Sequence, residues 1–276
     1  MDSIEVCIAV SDEAVKEELI ARLSVLDVDG FEEKDNELSV FYRKGEIDEK
    51  ELDDIINSCN LTYSNSTIPE QNWNEVWESN FSPVIVDNFC SIRADFHEPI
   101  NHTAKEIIIT PKMSFGTGHH ATTYMMIEQM KDIDFEAKRV ADFGTGTGVL
   151  AILAEKLGAD FVYAIDNDNW SIENAQENFE RNDCKIIEIK KAGTFFTTDK
   201  FDVILANINK NVIIDNLNGL VFGLAHKGHL LLSGLLKEDE ADIIIACLHN
   251  NLSHIKTVVR DKWISLLFIN NFQIET

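Results

Sequence analysis

Three short stretches of this 276-residue chain place chemically capable residues at spacings that suit a ligand site. The first is Ala141-Asp142-Phe143-Gly144-Thr145-Gly146-Thr147-Gly148. It follows a strand-like run and opens a helical one, so its glycines allow a ligand to approach the backbone and the helix start offers free N–H groups. Twenty-two residues beyond Gly144 stands Asp166, at the end of the next strand-like run. An acid there accepts the two hydroxyls of an adenosine ribose. Loop, strand context and acid together indicate a nucleoside cofactor.

The spacing narrows the choice. A dinucleotide fingerprint reads G-x-G-x-x-G, but the position three after Gly146 is Val149, and the pattern here is D-x-G-x-G-x-G. Asp142 beside the loop opposes a pyrophosphate and favours the sulfonium and amino group of S-adenosyl-L-methionine. No G-x-x-x-x-G-K-[ST] occurs, which excludes a P-loop.

The second stretch is Phe201-Asp202-Val203-Ile204-Leu205-Ala206-Asn207-Ile208-Asn209. Its strand delivers Asn207 to the carboxyl edge of a sheet, where ligands of such folds lie. An amide there accepts a hydrogen bond from an amine without adding charge; the plainer alternative is that Asn207 ends the strand and caps the next helix. The third stretch runs from Ile109 through Phe115-Gly116-Thr117-Gly118-His119-His120-Ala121-Thr122-Thr123. Its glycines suit either an anion loop or an ordinary turn. Adjacent His119 and His120 have no Cys or acid ligand set nearby, so no metal is expected. Met125, Met126 and Met130 read as helix core.

The elements that position these residues follow from periodicity. Residues 1–68 read as β-α-β-β-α-β, a small ferredoxin-like α+β domain. Its first strand alternates Ile4, Val6, Ile8 and Val10, and its first helix carries Val15, Leu19, Ile20 and Leu23 after a Ser11 or Asp12 cap. A linker helix over 69–82 carries Trp73 and Trp77, four apart, which suits packing between domains. Residues 83–276 form the larger domain. Strands at 89–96 and 106–111 lead in. Beyond residue 138 strands and helices alternate at βαβ spacing, with helices near 211–225 and 238–250 and a strand at 229–233. The closing strands at 254–259 and 263–269 have no helix between them and must be antiparallel. The expected architecture is an α/β doubly wound, Rossmann-like sheet with an antiparallel terminal hairpin.

Composition excludes other classes. Lys and Arg total 24 against 48 Asp and Glu, a formal charge of −24, which argues against a phosphate-neutralising nucleic-acid binder. Residues 1–68 hold 18 acids against 6 bases, half the net charge in a quarter of the chain. Cys7, Cys59, Cys90, Cys184 and Cys247 are odd in number and far apart, with no C-x-x-C, so they read as reduced and mostly buried thiols of a cytoplasmic protein. The start of the chain lacks the pattern of a signal peptide, and the apolar run 243–248 is too short to cross a membrane.

Ser-Phe-Gly-Thr-Gly-His-His-Ala-Thr-Thr at 114–123, followed by the 142–152 loop, Ala-Ile-Asp-Asn-Asp at 164–168 and Leu-Ala-Asn-Ile at 205–208, resembles the PrmA family over nearly the whole chain. These are bacterial methyltransferases of large-subunit ribosomal protein eleven, the stalk-base protein. The glycine loop and Asp166 are common to many methyltransferases; the 115–123 segment is specific. The resemblance implies transfer of several methyl groups from S-adenosyl-L-methionine to the α-amino and lysine ε-amino groups of that protein. It implies that Thr123, Gly144, Asp166 and Asn207 contact the cofactor; Gly146 of the same loop is expected to join them, and Asn207, by its place at the strand end, to be catalytic in orienting the amine. Phe115, Gly116 and Gly118 then form a loop over its methionine end. The N-terminal domain holds the basic substrate, and its acidity suits that role. Arg93-Ala94-Asp95-Phe96 departs from the more apolar, often Trp-containing segment of the family. The competing readings are a methyltransferase of another amine, a nicotinamide-dependent oxidoreductase, and a non-enzymatic binding protein. The Gly144–Asp166–Asn207 set speaks against the last.

Overall fold

A computed structural model describes residues 3–26, 28–59, 61–68, 81–110, 112 and 115–271. Trp73, Trp77 and all of the expected linker helix except residues 81 and 82 lie outside them. The chain divides into two compact units, Met1–Val76 and Trp77–Thr276.

In the first unit β1 (Ser3–Ala9), α1 (Glu13–Leu23), β2 (Gly30–Lys34), β3 (Glu37–Arg43), α2 (Glu49–Ser58) and β4 (Tyr63–Ile68) follow one another. The strands form one sheet in the order β2-β3-β1-β4, with every neighbouring pair antiparallel. Asp12 caps α1 by accepting from the amides of Ala14 and Val15, and Asp48 caps α2. Val6, Ile8, Leu19, Leu38, Val40, Leu52 and Ile56 make the core. The buried stripe of α1 is Lys16, Leu19 and Leu23, whereas Val15 and Ile20 are only half-buried. Lys16 fits because its ammonium donates to the carbonyls of Lys34 and Asp35 and to the Glu13 carboxylate, so its buried stem carries a satisfied charge.

The second unit opens with a three-stranded sheet of β5 (Val84–Val86), β6 (Cys90–Ala94) and β7 (Lys105–Ile109). The two expected lead-in strands are there, joined by a third; β5 pairs antiparallel to β6, and β6 parallel to β7. The main sheet has the order β10-β9-β8-β11-β12-β14-β13. Its strands are β8 (Arg139–Phe143), β9 (Phe161–Asp166), β10 (Ile187–Lys191), β11 (Phe201–Asn207), β12 (Leu224–Leu236), β13 (Leu252–Arg260) and β14 (Trp263–Asn270). β8 to β12 run parallel, and β14 runs antiparallel to both of its neighbours. The helices are α3 (Ala121–Met130), α4 (Val149–Lys156), α5 (Asn169–Arg181), α6 (Lys210–Gly223) and α7 (Glu240–His249).

Burial on both faces explains the near-continuous apolar strands. Along β11, Val203 and Leu205 join Met126, Leu150 and Phe179 in one core, and Ile204 and Ala206 join Ile213, Leu217 and Ile243 in the other. β12 is longer than its apolar run at 229–233. The helix before it stops at Gly223, and Leu224 already pairs with Phe201. Cys90 and Cys247 are buried, Cys7, Cys59 and Cys184 are half-buried, and all five are free thiols. Met125, Met126 and Met130 are fully buried. No helix among the described residues is long and apolar enough to cross a membrane.

Candidate active site

The carboxyl ends of β8, β9 and β11 bring Gly144, Asp166 and Asn207 to one edge of the sheet. Between β8 and α4 the chain turns with positive φ at Gly144 (79°), Gly146 (54°) and Gly148 (81°). A Cβ on Gly144 would stand 2.3 Å from Ile208 Cγ2, and one on Gly146 would stand 2.4 Å from the Phe115 carbonyl oxygen. The loop's own packing therefore demands glycine at these two positions, before any ligand arrives.

The sequence suggests free N–H groups at the helix start; the amides of the turn that precedes it are taken up within the protein. Gly144 and Thr145 donate to the Ile165 carbonyl at 2.8 and 2.9 Å, Thr147 to the Phe115 carbonyl at 3.1 Å and Gly148 to the Thr145 carbonyl at 2.8 Å. Gly146 donates to Asp166 Oδ2 at 2.9 Å. Each of the five turn amides is already committed within the protein; those of the helix's first residues, which have no partner inside the helix, are the ones a ligand can use.

Two carboxylates sit under this loop. Asp166 is 9% exposed; its second oxygen accepts from the Asp168 amide at 3.0 Å. Each of its oxygens keeps acceptor capacity toward a pocket of about 150 Å³ bordered by Phe143, Asp166, Asn167, Gly193, Ile208 and Val212. Asp142 is fully buried. One of its oxygens accepts from Thr145 Oγ1 at 2.7 Å, the other has no close hydrogen-bond partner, and the Ala151 amide at the helix start faces the carboxylate. Burial, with the charge of Asp166 adding, pushes its carboxyl up to about 7. A larger concavity of about 420 Å³ lies elsewhere on this unit, among Lys105, Glu106, Lys156 and Arg181, and contains none of the residues singled out from the sequence.

Asn207 is 7% exposed. Its Nδ2 donates to Thr123 Oγ1 at 3.1 Å, and its Oδ1 is buried without a partner. The helix-cap alternative fails: Asn209 caps α6 by accepting from the Val212 amide at 3.1 Å. Asn207 is thus a buried acceptor that the protein leaves open, a costly arrangement unless a donor arrives.

Thr147 carries no signal in the sequence beyond lying in the glycine loop, yet it joins two segments. Its Oγ1 donates to the Gly116 carbonyl at 2.9 Å, and its own carbonyl accepts from Asn178 Nδ2 at 2.8 Å. Phe115 and Gly116 are thereby held at the loop, with the Phe115 ring 53% exposed. Gly118 is not: it is buried against Ile92 and Val84 of the small sheet. His119 meets Thr117 and the Phe81 ring. His120 caps α3, its Nδ1 accepting from the Thr122 amide at 3.4 Å and meeting Thr122 Oγ1 at 2.7 Å. Its ring centre stands 5.2 Å from that of Phe115 and 4.7 Å from that of Trp263. No group of three His, Cys, Asp or Glu side chains able to hold a metal occurs among the described residues.

The sequence profile of the family described as "Ribosomal protein L11 methyltransferase (PrmA)" matches residues 5–271. The chain belongs to this family. A ribosomal protein L11 methyltransferase of Porphyromonas gingivalis is 42% identical over 210 residues, 75% of this chain and 72% of its own. One of Chlorobaculum parvum is 35% identical over 269 residues, 93% of each chain. Among solved structures, the ribosomal protein L11 methylase of Lactobacillus delbrueckii subsp. bulgaricus is similar with a TM-score of 0.65 and 27% identity, over 70% of this chain and all of that one.

Proposed function

We propose that this protein is a protein N-methyltransferase that carries methyl groups from S-adenosyl-L-methionine to the α-amino and lysine ε-amino groups of ribosomal protein L11, in the cytoplasm. The observation that carries the reading is the pairing, at one sheet edge, of a glycine turn with no spare amide and a buried, open acceptor on Asn207. The turn itself offers a pyrophosphate no amide, and the acceptor waits for an N–H.

The residues fit the cofactor by the chemistry of what they leave unpaired. Asp142 keeps one buried oxygen for a cationic group, and Asp166 keeps acceptor capacity for hydroxyls beside the pocket. Gly144, Gly146, Phe115 and Gly116 complete that side, and Thr123 holds Asn207. Bound S-adenosyl-L-methionine supplies an electrophilic methyl group on a sulfonium.

The protein's part is to bring a neutral amine in line. A lysine with a pKa of ~10.4 is neutral in about one molecule in 2,500 at pH 7. Water takes its proton, and a site of low polarity then favours the neutral form. Asn207 Oδ1 accepts one remaining N–H and so aims the lone pair. Thr123 fixes which end of the amide faces the amine, because its hydroxyl occupies Nδ2. Alignment of nitrogen and methyl is proximity catalysis and needs no protein base.

The β-α-β-β-α-β unit we assign as a ferredoxin-like docking domain over residues 1–68, joined through 69–82 to a catalytic domain over 83–276. Its net charge of −12 suits a basic ribosomal protein, and no direct nucleic-acid contact is invoked.

Intact mass of recombinant ribosomal protein L11 after incubation with this protein and S-adenosyl-L-methionine tests the reading. Gains in steps of one methyl group, lost with Asp166→Ala, are expected. Calorimetric binding of the cofactor without any gain would point to another amine substrate. Neither binding nor gain would return the nicotinamide alternative.

A further inference from the structure

Phe115, His120 and Trp263 come from a loop, a helix cap and the start of β14, and their rings follow one another at 5.2 and 4.7 Å. The wall lies by the open acceptor. His120 precedes Thr123, the partner of Asn207, by one helical turn. Trp263 pairs with Leu236 at the carboxyl end of β12, the strand beside β11.

The middle ring is held toward its neutral form. Burial, with Lys262 adding, holds the His120 imidazole below its usual range. Its Nδ1 accepts from a backbone amide, so the neutral ring carries its proton on Nε2. It repels no cation. Lys262 Nζ lies 5.5 Å from the centre of the Trp263 ring, so an incoming ammonium has to displace that cation from the face.

A hydrogen-bonding acceptor alone cannot hold an amine through repeated methylation. Each transfer forms one C–N bond, breaks one C–S bond of the cofactor and sheds one amine proton to water. An N–H is replaced by N–CH₃ each time. After two transfers the neutral amine has no N–H left for Asn207 Oδ1. Aromatic faces have the opposite preference, because an alkylated ammonium presents spread positive charge and apolar methyl groups together.

We propose that Phe115, His120 and Trp263 form an aromatic wall that binds methylated ammonium groups, with Trp263 its main contributor, so that this wall sets how many methyl groups one amine receives. The proposal rests on the methyltransferase reading of the same site and adds the residues that take over as Asn207 loses its donor.

The test has one readout that needs no turnover. Tetramethylammonium is titrated into the full-length protein beside its neutral isostere tetramethylmethane, followed by NMR of the indole N–H groups. The cation is expected to bind at least tenfold more tightly than the neutral probe and to shift the Trp263 resonance, assigned with Trp263→Phe. Trp263→Leu loses that difference about tenfold, and Trp263→Phe keeps most of it. With L11 and S-adenosyl-L-methionine, Trp263→Leu piles up mono- and dimethylated amines: kcat/KM for a dimethylated amine falls at least tenfold further than for the unmodified one. Equal binding of the two probes, or an unchanged product distribution in a folded Trp263→Leu, overturns the proposal. If that variant does not fold, Phe115→Leu, on an exposed ring, is read the same way for a smaller, severalfold effect. If L11 gains no methyl group while tetramethylammonium still binds over the neutral probe at Trp263, the substrate reading fails and the wall stands.

Discussion

The two halves of the site are built on opposite electrostatic plans. On the cofactor side two carboxylates lie buried under the glycine turn, Asp166 tied to two amides and Asp142 tied to a hydroxyl. On the amine side Thr123, Asn207, His120 and Trp263 form a set without a carboxylate, and burial, with the Lys262 charge beside Trp263, disfavours a proton on the histidine. The difference follows from what each half must favour. The cofactor's sulfonium is a permanent cation and its ammonium is charged at pH 7; both gain from buried negative charge. The accepting amine must instead be uncharged, and a carboxylate beside it would hold its proton on.

The largest effect is expected on the charged half. Asp166→Ala removes the acceptor for hydroxyls and also strands the amides of Gly146 and Asp168, loosening the turn itself. Two charge-assisted hydrogen bonds at about 1.5–3 kcal/mol each make a hundredfold or greater loss of cofactor affinity the expected result. Calorimetry with S-adenosyl-L-methionine measures it directly. Affinity within threefold of wild type would mean that the two carboxylates do not organise this half.

Asn207→Asp breaks the contrast from the other side by placing a carboxylate where the site has none. The bound amine's pKa should rise by about one unit or more, so the rising limb of the kcat–pH profile moves up by the same amount. At pH 7 that is about a tenfold loss in kcat, since one unit is 1.36 kcal/mol. Cofactor affinity should change less than turnover. A lowered rate with an unmoved profile would reduce Asn207 to a packing role.

Much of this contrast was legible in the residues. Asp142, Gly144, Asp166 and Asn207 each sit at a strand end, and a strand end in a parallel sheet fixes position to within a residue. The alternation of 3.6 and 2.0 periods gave the sheet, including the antiparallel β13–β14 pair. What stayed hidden is three-dimensional. That the amides of the glycine turn are spent depends largely on the Ile165 and Phe115 carbonyls and the Asp166 carboxylate, 20 or more residues away in sequence from the groups they accept. Gly118 shares the 115–123 segment with Gly116 yet packs on Ile92, which spacing cannot tell. Thr147 and Trp263 have ordinary surroundings in the sequence and matter because of what folds against them. Lys16 was invisible for a different reason. A lysine at a core position reads as a break in the stripe until the carbonyls that receive it are in place.

A smaller effect separates the two buried carboxylates. In the free protein the Asp142 carboxyl is pushed up to about 7, while its ordinary value is 3.8. Between about pH 4 and 7 the native state therefore binds a proton that the unfolded chain has lost. This contribution to stability falls as pH rises through that window and is flat above it. A cationic ligand beside Asp142 reverses the preference and expels the proton. Near pH 6.5 cofactor binding should then release part of a proton, seen as binding heats that vary with the buffer's ionisation enthalpy. Affinity should weaken severalfold from pH 7.5 to 6. Asp142→Asn should abolish both the proton release and the falling stability. If proton release persists in that variant, the titrating group lies elsewhere.

The smallest effect distinguishes buried charge from exposed charge. Asp142 and Asp166 lie inside the protein, where salt screens poorly. Acids of the first unit such as Glu13, Glu32 and Glu33 face solvent, where the Debye length shortens from about 10 Å at 0.1 M to 3 Å at 1 M. If that unit attracts a basic protein by its net charge, raising salt from 0.05 to 0.5 M should raise KM for L11 severalfold through a slower encounter, since exposed charge acts mainly on association. The cofactor Kd should move little over the same range. Replacing three exposed acids of the first unit by their amides should reproduce the effect of salt and remove most of the remaining salt dependence. A KM indifferent to salt would leave the −12 charge as a device for solubility, and the docking surface would have to be sought among its apolar residues instead.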